Sequence, residues 1–152
     1  MSYQEKNTTV SLVIFTLILG FFIIRVAQML LGDSFTSTNV FRLWGIVIVA
    51  TIVLMILGTI LMHILSAIVQ AIQTGGEEEP EIDDLEDERD KLIDLRGTKV
   101  TFIISSIVVF LAMLSFVLGQ PALVFFTVLI FASLAAQIVG DVSRLYLSRR
   151  GF

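Results

Sequence analysis

The feature that most constrains this fold is a long central stretch, residues 100–140, that contains no charged side chain. A helix or strand of that length in a soluble protein needs a polar face toward water. About 20 apolar residues are enough to cross ~30 Å of hydrocarbon as a helix, so the stretch can cross twice. Gly119-Gln120-Pro121 interrupts it near its middle, and neighbouring Gly and Pro mark turns. We therefore predict two transmembrane helices, 100–118 and 121–144, joined by a tight turn.

Two further apolar stretches, residues 10–31 and 40–73, satisfy the same length criterion. The first follows a mixed-charge start and lacks a small-x-small cleavage site, so we expect a retained helix rather than a cleaved signal. The second is too long for one perpendicular crossing and must tilt or protrude. The sequence thus predicts an all-α fold: a single integral-membrane domain, residues 1–152, built as a four-helix transmembrane bundle.

Charge is confined to the connections between these stretches. Hydrophobic residues make up 56% of the chain and charged residues 16%, and 11 of the 14 acidic residues lie between Glu77 and Asp94. Desolvation explains the pattern, because a charge at the bilayer centre costs several kcal/mol. The net charge of −4 and the lack of a basic stripe argue against nucleic acid as a partner. The absence of cysteine excludes disulfides and thiolate metal sites.

The distribution of Lys and Arg predicts the orientation. Eight of them lie in the N-terminal tail, the central loop 75–99 and the C-terminal end, which share one side if the chain crosses four times. Only Arg25 and Arg42 lie near the other side. Since positive residues favour the cytoplasmic side regardless of acidic neighbours, we expect both termini and the loop in the cytoplasm.

The acidic part of that loop, residues 77–94, permits three interpretations, and we call it the acidic arm. Pro80 keeps its first part extended, and helical spacing from Asp83 onward predicts a short amphipathic helix over about 84–95, leading through Gly97 into the third span. The arm is a solvated connector, a docking site for a basic partner, or a weak cation site, although no calcium-loop pattern is present. The residues that would dock a partner are Glu77, Glu78, Glu79, Asp83, Asp87 and Asp90.

Polar residues recur at helical spacing within three of the spans. Such spacing places them on one face of each helix, and lipid cannot satisfy them, so we expect them to face one another. The resulting candidate intramembrane cluster comprises His63, Ser66, Gln70, Ser105, Gln137, Asp141 and Arg144.

This cluster has two interpretations. In one it holds the helices together, with Asp141 and Arg144 neutralising each other. In the other it lines a cytoplasm-facing cavity in which His63 and Asp141 bind a substrate or relay a proton. Asp141 lies about 20 residues from the turn at Pro121, which places it near the membrane boundary and weakens the proton path.

A line of small residues, Ala132, Ala136 and Gly140, runs beside the polar stripe of the last span. This small-xxx-small pattern lets another helix approach closely. We expect packing here against a second copy or another membrane protein.

No reaction motif is present, so the sequence predicts no enzyme activity and no cofactor. There is a single histidine, no G-x-S-x-G, no H-E-x-x-H and no Gly-rich phosphate loop. The only central proline of the spans lies in the turn at Pro121, and the two halves show no matched pair of interrupted helices of the kind seen in inverted-repeat transporters.

The segment DERDKLIDL, residues 87–95, is followed by a charge-free hairpin and the ending Arg149-Arg150-Gly151. This combination resembles a group of small uncharacterised prokaryotic four-span membrane proteins, in which an E-R-D-x-x-I-like segment precedes the third span. The resemblance covers the C-terminal part of the chain. It implies a multi-pass protein of the cytoplasmic (inner) membrane of a bacterium or archaeon, and it supplies no activity or catalytic residues.

These observations predict a non-enzymatic accessory or regulatory membrane protein that acts through helix packing and the acidic arm. Its expected partners are the lipid bilayer and either a second copy or another membrane protein. The alternative is a small oligomeric transporter or channel that uses the polar cluster.

Overall fold

A computed structural model describes residues 3–73 and 88–150 of the chain. Its elements are four α-helices: α1 Tyr3–Leu31, α2 Ser37–Gln73, α3 Glu88–Val117 and α4 Ala122–Arg150. Each is long and apolar enough to cross a membrane, and no strand occurs within the described ranges. The chain is therefore all-helical and of the multi-pass membrane type.

All four helices are longer than the hydrocarbon layer. The 29 residues of α1 extend about 43 Å, and the 37 residues of α2 extend about 55 Å. Because the hydrocarbon core is only ~30 Å thick, each helix has at least one turn outside it or is tilted. The polar ends of the helices can therefore contact one another near the membrane boundary.

The helices contact one another in the lateral order α3, α4, α1, α2. Helix α4 lies at the centre, packed extensively against α3 and α1 and only slightly against α2. Among the described residues, α2 and α3 share no extensive contact, so the bundle is open between them. Most apolar side chains of both helices are exposed, as expected for surfaces that face lipid.

The apolar core lies where α1, α2 and α4 meet. It is a single cluster of buried aliphatic and aromatic side chains from these three helices: Ile14, Ile18, Phe22, Leu43, Val47, Ile130 and Leu134. Gly58 allows α2 to approach α1 beside this cluster, because a methyl group at that position would come within 2.8 Å of Val10 and 2.9 Å of Ile14. Close packing of this kind, rather than water exclusion, is what favours helix association in lipid.

Aromatic rings join the helices at the end of the bundle that contains the two short turns, residues 32–36 and 118–121, which we call the turn end. The ring of Phe126 on α4 lies 5.9 Å from Phe41 and 6.0 Å from Trp44 on α2. Phe125 continues the contact to Phe116 on α3, at 5.9 Å. These edge-to-face and tilted contacts link α2, α4 and α3 although α2 and α3 do not pack together.

The α3–α4 turn coincides with the predicted Gly119-Gln120-Pro121 interruption. Gly119 has a φ of 91°, and Gln120 N donates to Ser115 O over 3.2 Å, the long-range bond of a Schellman cap. The α1–α2 turn has the same bond, from Ser34 N to Met29 O, with Asp33 in the left-handed region. Both helices thus end on a residue that tolerates a positive φ.

Helix α3 begins before the apolar stretch that defined the third span. Residues 88–99, expected within the loop 75–99, are the first turns of α3, and the helix continues through Gly97 without a break. The predicted amphipathic helix over 84–95 is therefore continuous with the span from Glu88 onward, while residues 84–87 lie outside the described part. Ile93, 4% exposed, is its main apolar contact toward the bundle.

Replacing Gly119 by Ala tests the turn. An added methyl group would meet no neighbouring atom, so only the positive φ is penalised, and we expect a loss of about 1–2 kcal/mol in stability. Gly45→Ala is the matched control, because that glycine is helical and also open to its surroundings. The control should be neutral or slightly stabilising. The measurement is the SDS-induced unfolding midpoint of both variants in mild detergent, and equal midpoints would contradict the turn geometry.

Candidate functional site

Arg144 lies at the centre of a polar network that joins α3 and α4. Its Nε donates to Asp94 Oδ1 at 2.8 Å, its Nη1 to Asp141 Oδ1 at 2.9 Å and its Nη2 to Thr98 Oγ1 at 2.8 Å. One guanidinium thus binds two carboxylates and a hydroxyl, each through a different nitrogen of its planar fork of donors. The side chain of Arg144 is only 13% exposed.

Asp141 extends this network to α1. Ser11 Oγ donates to Asp141 Oδ2 at 2.6 Å, and Gln137 Nε2 donates to Oδ1 at 3.1 Å. With the bond from Arg144, both carboxylate oxygens are engaged, and the residue is only 2% exposed. A carboxylate this buried is tolerated only when its hydrogen bonds and a counter-charge are supplied together. We call the set that supplies them the Asp141–Arg144 network: Ser11, Asp94, Thr98, Gln137, Asp141 and Arg144.

Two glycines make room for the network at the α3–α4 contact. Gly97 on α3 lies against the side chain of Arg144, and Gly140 on α4 lies against the hydroxyl of Thr101. A methyl group at either position would overlap those atoms. Two such contacts, each between a glycine on one helix and a polar side chain on the other, lie within about one helical turn.

Further hydrogen bonds close the same end of the bundle, which we call the network end. Gln4 Nε2 donates to the carbonyl of Asp90 at 3.1 Å, and Arg89 donates to the carbonyl of Ser148 at 3.0 Å. The Ser148 hydroxyl donates to the carboxylate of Glu5. The beginnings of α1 and α3 and the end of α4 therefore lie together on one side, as four crossings require.

Little free space lies beside Arg144. The cavity beside it, lined by Thr8, Ile93 and Arg144 among others, measures about 10 Å³. That is the least volume that can hold one water molecule. Every buried side-chain nitrogen and oxygen of the described residues also has a hydrogen-bond partner. The network holds the helices together with its buried groups all paired, and of its members only Gln137 lines the larger cavity of about 370 Å³ between α1, α2 and α4.

The structure brings together three members of the predicted cluster: Gln137, Asp141 and Arg144. His63 is exposed on α2, which does not pack extensively on α3. Ser66 and Ser105 are partly buried on α2 and α3, and the side chain of Gln70 lies outside the described part of the chain. The expected single cluster across three helices is therefore replaced by a network of α1, α3 and α4.

The reason for this difference is that hydroxyl side chains need no other helix. Thr59 donates to the carbonyl of Met55 at 2.9 Å, Thr101 to Gly97 at 3.2 Å, and Ser133 to Ile130 at 2.9 Å. Serine and threonine in a helix satisfy themselves in this way on their own backbone. Only groups that cannot do so, such as Asp141 and Arg144, must find partners across helices.

Sequence reasoning did not assign Ser11 to the network. The sequence does contain a pattern that indicates its position. Gln4, Thr8 and Ser11, at the polar start of α1, are spaced four and three residues apart like the polar residues of the other helices, so they lie on one face of α1. Sequence reasoning also assigned Asp94 to the acidic arm and not to the network. It lies one helical turn before Thr98 and continues the polar stripe of α3.

The small-residue face is used inside the bundle. Ala132 and Ala136 are 2% and 0% exposed, and Gly140 is covered by Thr101 of α3. This corrects the expectation that the face receives a second copy or another protein, because α4 is the central helix and its small side chains are already covered.

The structure describes only the last part of the acidic arm, from Glu88 onward. Glu77, Glu78, Glu79, Asp83 and Asp87 lie outside the described residues. Asp90 lies in the first turn of α3, partly buried. Within the described ranges, no group of three or more His, Asp and Glu side chains could hold a metal ion.

Comparison with models of protein families, with curated proteins and with solved structures finds no match to this chain.

Replacing Arg144 by Met tests the network. The change leaves the Asp141 carboxylate buried without its counter-charge, and we expect a loss of about 3–5 kcal/mol. Adding Asp141→Asn removes the unpaired charge and should restore part of this stability. The control, Arg89→Met, removes an exposed arginine and should cost no more than about 1 kcal/mol. A double-mutant cycle of SDS unfolding midpoints measures the coupling, and additive losses would show that the two residues do not act together.

A size-swap tests the contact of α4 with α3. Gly140→Ala should destabilise the protein by about 1–3 kcal/mol, because its methyl group meets the Thr101 hydroxyl. Thr101→Ala in the same chain removes that hydroxyl and should recover most of the loss. Gly20→Ala, at an open helical position, is the control. If the double variant is as unstable as Gly140→Ala alone, the two residues are not in contact.

Proposed function

We propose that this chain is a non-enzymatic accessory or regulatory protein of a prokaryotic cytoplasmic membrane, with both termini and the acidic arm in the cytoplasm. The observation that carries the proposal is the saturation of the Asp141–Arg144 network. Its charges are paired, its buried hydrogen-bonding groups are satisfied, and the cavity beside Arg144 measures only about 10 Å³. Such a network supports a fixed platform of α1, α3 and α4 better than a moving gate.

The orientation rests on charge. The network end carries the basic residues of α3 and α4, and it also gathers the starts of α1 and α3 and the end of α4. Among the described residues, the only basic side chains near the turn end are those of Arg25 and Arg42. The positive-inside rule then favours the network end in the cytoplasm. The resemblance of residues 87–95 to small prokaryotic four-span proteins supports the same location.

The acidic arm is the part of the chain best suited to a cytoplasmic partner. Residues 77–90 contain ten acidic side chains and one basic one. That density of negative charge is repelled by an anionic lipid surface and attracts a basic protein surface. The nearby network end is held by hydrogen bonds to α1 and α4, so it presents the arm from a fixed base.

Partners within the membrane can contact only the helix faces that the bundle leaves exposed. The face of α4 with Ala132 and Ala136 is covered, whereas most of α2 and the outer face of α3 are exposed. A second copy or another membrane protein therefore packs on α2 or α3 in this proposal. His63, exposed on α2, belongs to that surface rather than to the network.

The arm is tested by a charge change that keeps its length. Replacing Glu77, Glu78, Glu79, Asp83, Asp87 and Asp90 by Gln or Asn should reduce the recovery of its partner from native membranes at least tenfold. The control exchanges each Glu for Asp and each Asp for Glu, which keeps the charge. Recovery should also fall when salt is raised from low to ~0.5 M, since exposed charges are screened. Equal recovery with all three proteins would contradict docking by the arm.

The transporter alternative is tested in the same preparation. The full chain in sealed vesicles should conduct protons and K⁺ no faster than protein-free vesicles, measured with an internal pH dye and a K⁺ gradient. Flux that disappears on Asp141→Asn or His63→Ala would overturn the accessory role.

A further inference from the structure

The apolar part of α2 is longer than one membrane crossing needs. No charged residue lies within residues 43–76, and α2 continues to Gln73. About 20 residues of helix cross ~30 Å of hydrocarbon, so a crossing that begins at Arg42 is complete near Met62. The large apolar residues that follow are each at least half exposed: Ile64, Leu65, Ile68, Val69 and Ile72.

The contact of α2 with α1 gives the level of these side chains independently. A methyl group at Gly58 would meet Val10 and Ile14, so Gly58 is level with about residue 12 of α1. The two helices pack together and are joined by a short turn, so they run in opposite directions. Six residues further along α2, Ile64 is therefore level with about Lys6, six residues earlier on α1.

Charged groups of the other helices lie at the same level. Ser148 of α4 bonds to Glu5 of α1, and Arg149 and Arg150 follow directly on α4. Such charges lie outside the hydrocarbon layer or at its boundary, because the bilayer interior does not solvate them. The end of α2 from Ile64 onward therefore lies where lipid chains do not cover it. An exposed apolar patch outside the membrane marks an interaction surface.

One face of α2 has the spacing of a coiled-coil seam. Its apolar residues alternate at intervals of three and four, as in a heptad repeat, and each is between 41% and 57% exposed. Met55 and Met62, which are partly buried, lie about a third of a turn away on the side toward α1. The residues of this face, which we call the α2 seam, are Leu54, Leu57, Leu61, Ile64 and Ile68.

A second copy of the chain is the occupant that fits the α2 seam. Copies of one membrane protein share the same orientation and depth, so a two-fold axis along the membrane normal places each seam residue opposite its own equivalent. The protruding apolar end of one α2 then meets an equally long apolar end at the same level. Because residues 43–76 carry no charge, the pairing brings no like charges together. A partner recruited by charge would find none on this helix.

We propose that the chain self-associates through the α2 seam, paired in parallel with the same seam of a second copy. The part from Leu54 to Leu61 packs within the membrane, and the part from Ile64 to Ile68 is buried from water beyond it. This deepens the proposed function, on which it rests, by naming the membrane partner as a second copy and its surface as one face of α2.

Single cysteines test the pairing, since the chain contains none. Two neighbouring pairs of residues are matched in depth and exposure: Leu57 at 50% with Ile56 at 56%, and Ile68 with Val69, both at 50%. Copper-phenanthroline oxidation in vesicles should link Leu57→Cys and Ile68→Cys into dimers at least tenfold faster than Ile56→Cys and Val69→Cys, because only seam positions face their own equivalents. Equal rates within each matched pair would contradict the seam.

A charge exchange at Ile68 tests whether the partner is a second copy. That position lies outside the hydrocarbon, so Ile68→Lys and Ile68→Glu should both fold, as circular dichroism and a single elution peak establish. Either variant alone should lower the dimer fraction at least tenfold, because like charges then face each other. Mixing the two should restore dimers, and Val69→Lys should remain dimeric as the control. The dimer fraction is measured by single-molecule photobleaching of the dye-labelled full chain in vesicles.

Three outcomes would overturn the inference. The first is a wild type that is monomeric in vesicles. The second is a mixture of the Lys and Glu variants that stays monomeric. The third is an Ile68→Cys chain that, in native membranes, links to a different protein and not to its own copy. None of these results changes the arm-recovery or vesicle-flux measurements, so a failure here is distinguishable from a failure of the proposed function.

Discussion

The position of Arg144 between two carboxylates is the interaction on which the rest of the bundle depends. Asp141 and Asp94 lie on different helices, and one guanidinium binds both at 2.9 Å and 2.8 Å. Asp141 lies about 28 Å along α4 from Ala122, close to the thickness of the hydrocarbon layer. A carboxylate buried at that depth must be paired, and Arg144 pairs it from one turn further along the same helix, while its bonds to Asp94 and Thr98 tie the pair to α3.

Glycine makes that pairing geometrically possible. Gly97 and Gly140 remove the side chains that would keep α3 and α4 apart, and Arg144 and Thr101 occupy the space. Ser11 then ties α1 to the same carboxylate. Helix α2 contributes nothing to the network and is held by apolar packing against α1 and by rings at the turn end. The bundle thus has a firmly joined part and a more loosely joined helix.

Apolar length and charge placement predicted the four helices, because hydrocarbon admits only backbone that bonds to itself. The turn at Gly119 was also readable, since few residues other than glycine adopt its positive φ. The hydrogen-bond partners of the polar residues could not be predicted from the sequence. Spacing shows which face of a helix is polar, but not whether a threonine bonds to its own backbone, as Thr59 does, or needs another helix. Nor does it show which helix is central, and so Ala136 was assigned to a partner's surface although it is fully buried.

The central claim is that Asp141 is sealed inside a structural contact. Ser11 touches its carboxylate and is 7% exposed, and the chain contains no cysteine, so Ser11→Cys places a single nearly isosteric thiol beside Asp141. Asn7→Cys, exposed one turn earlier on α1, is the reference. The measurement is the rate at which each thiol reacts with a small charged methanethiosulfonate applied to both sides of the membrane. A sealed contact predicts that position 11 reacts at least a hundredfold more slowly than position 7, whereas comparable rates would show that water reaches Asp141 and would contradict the account.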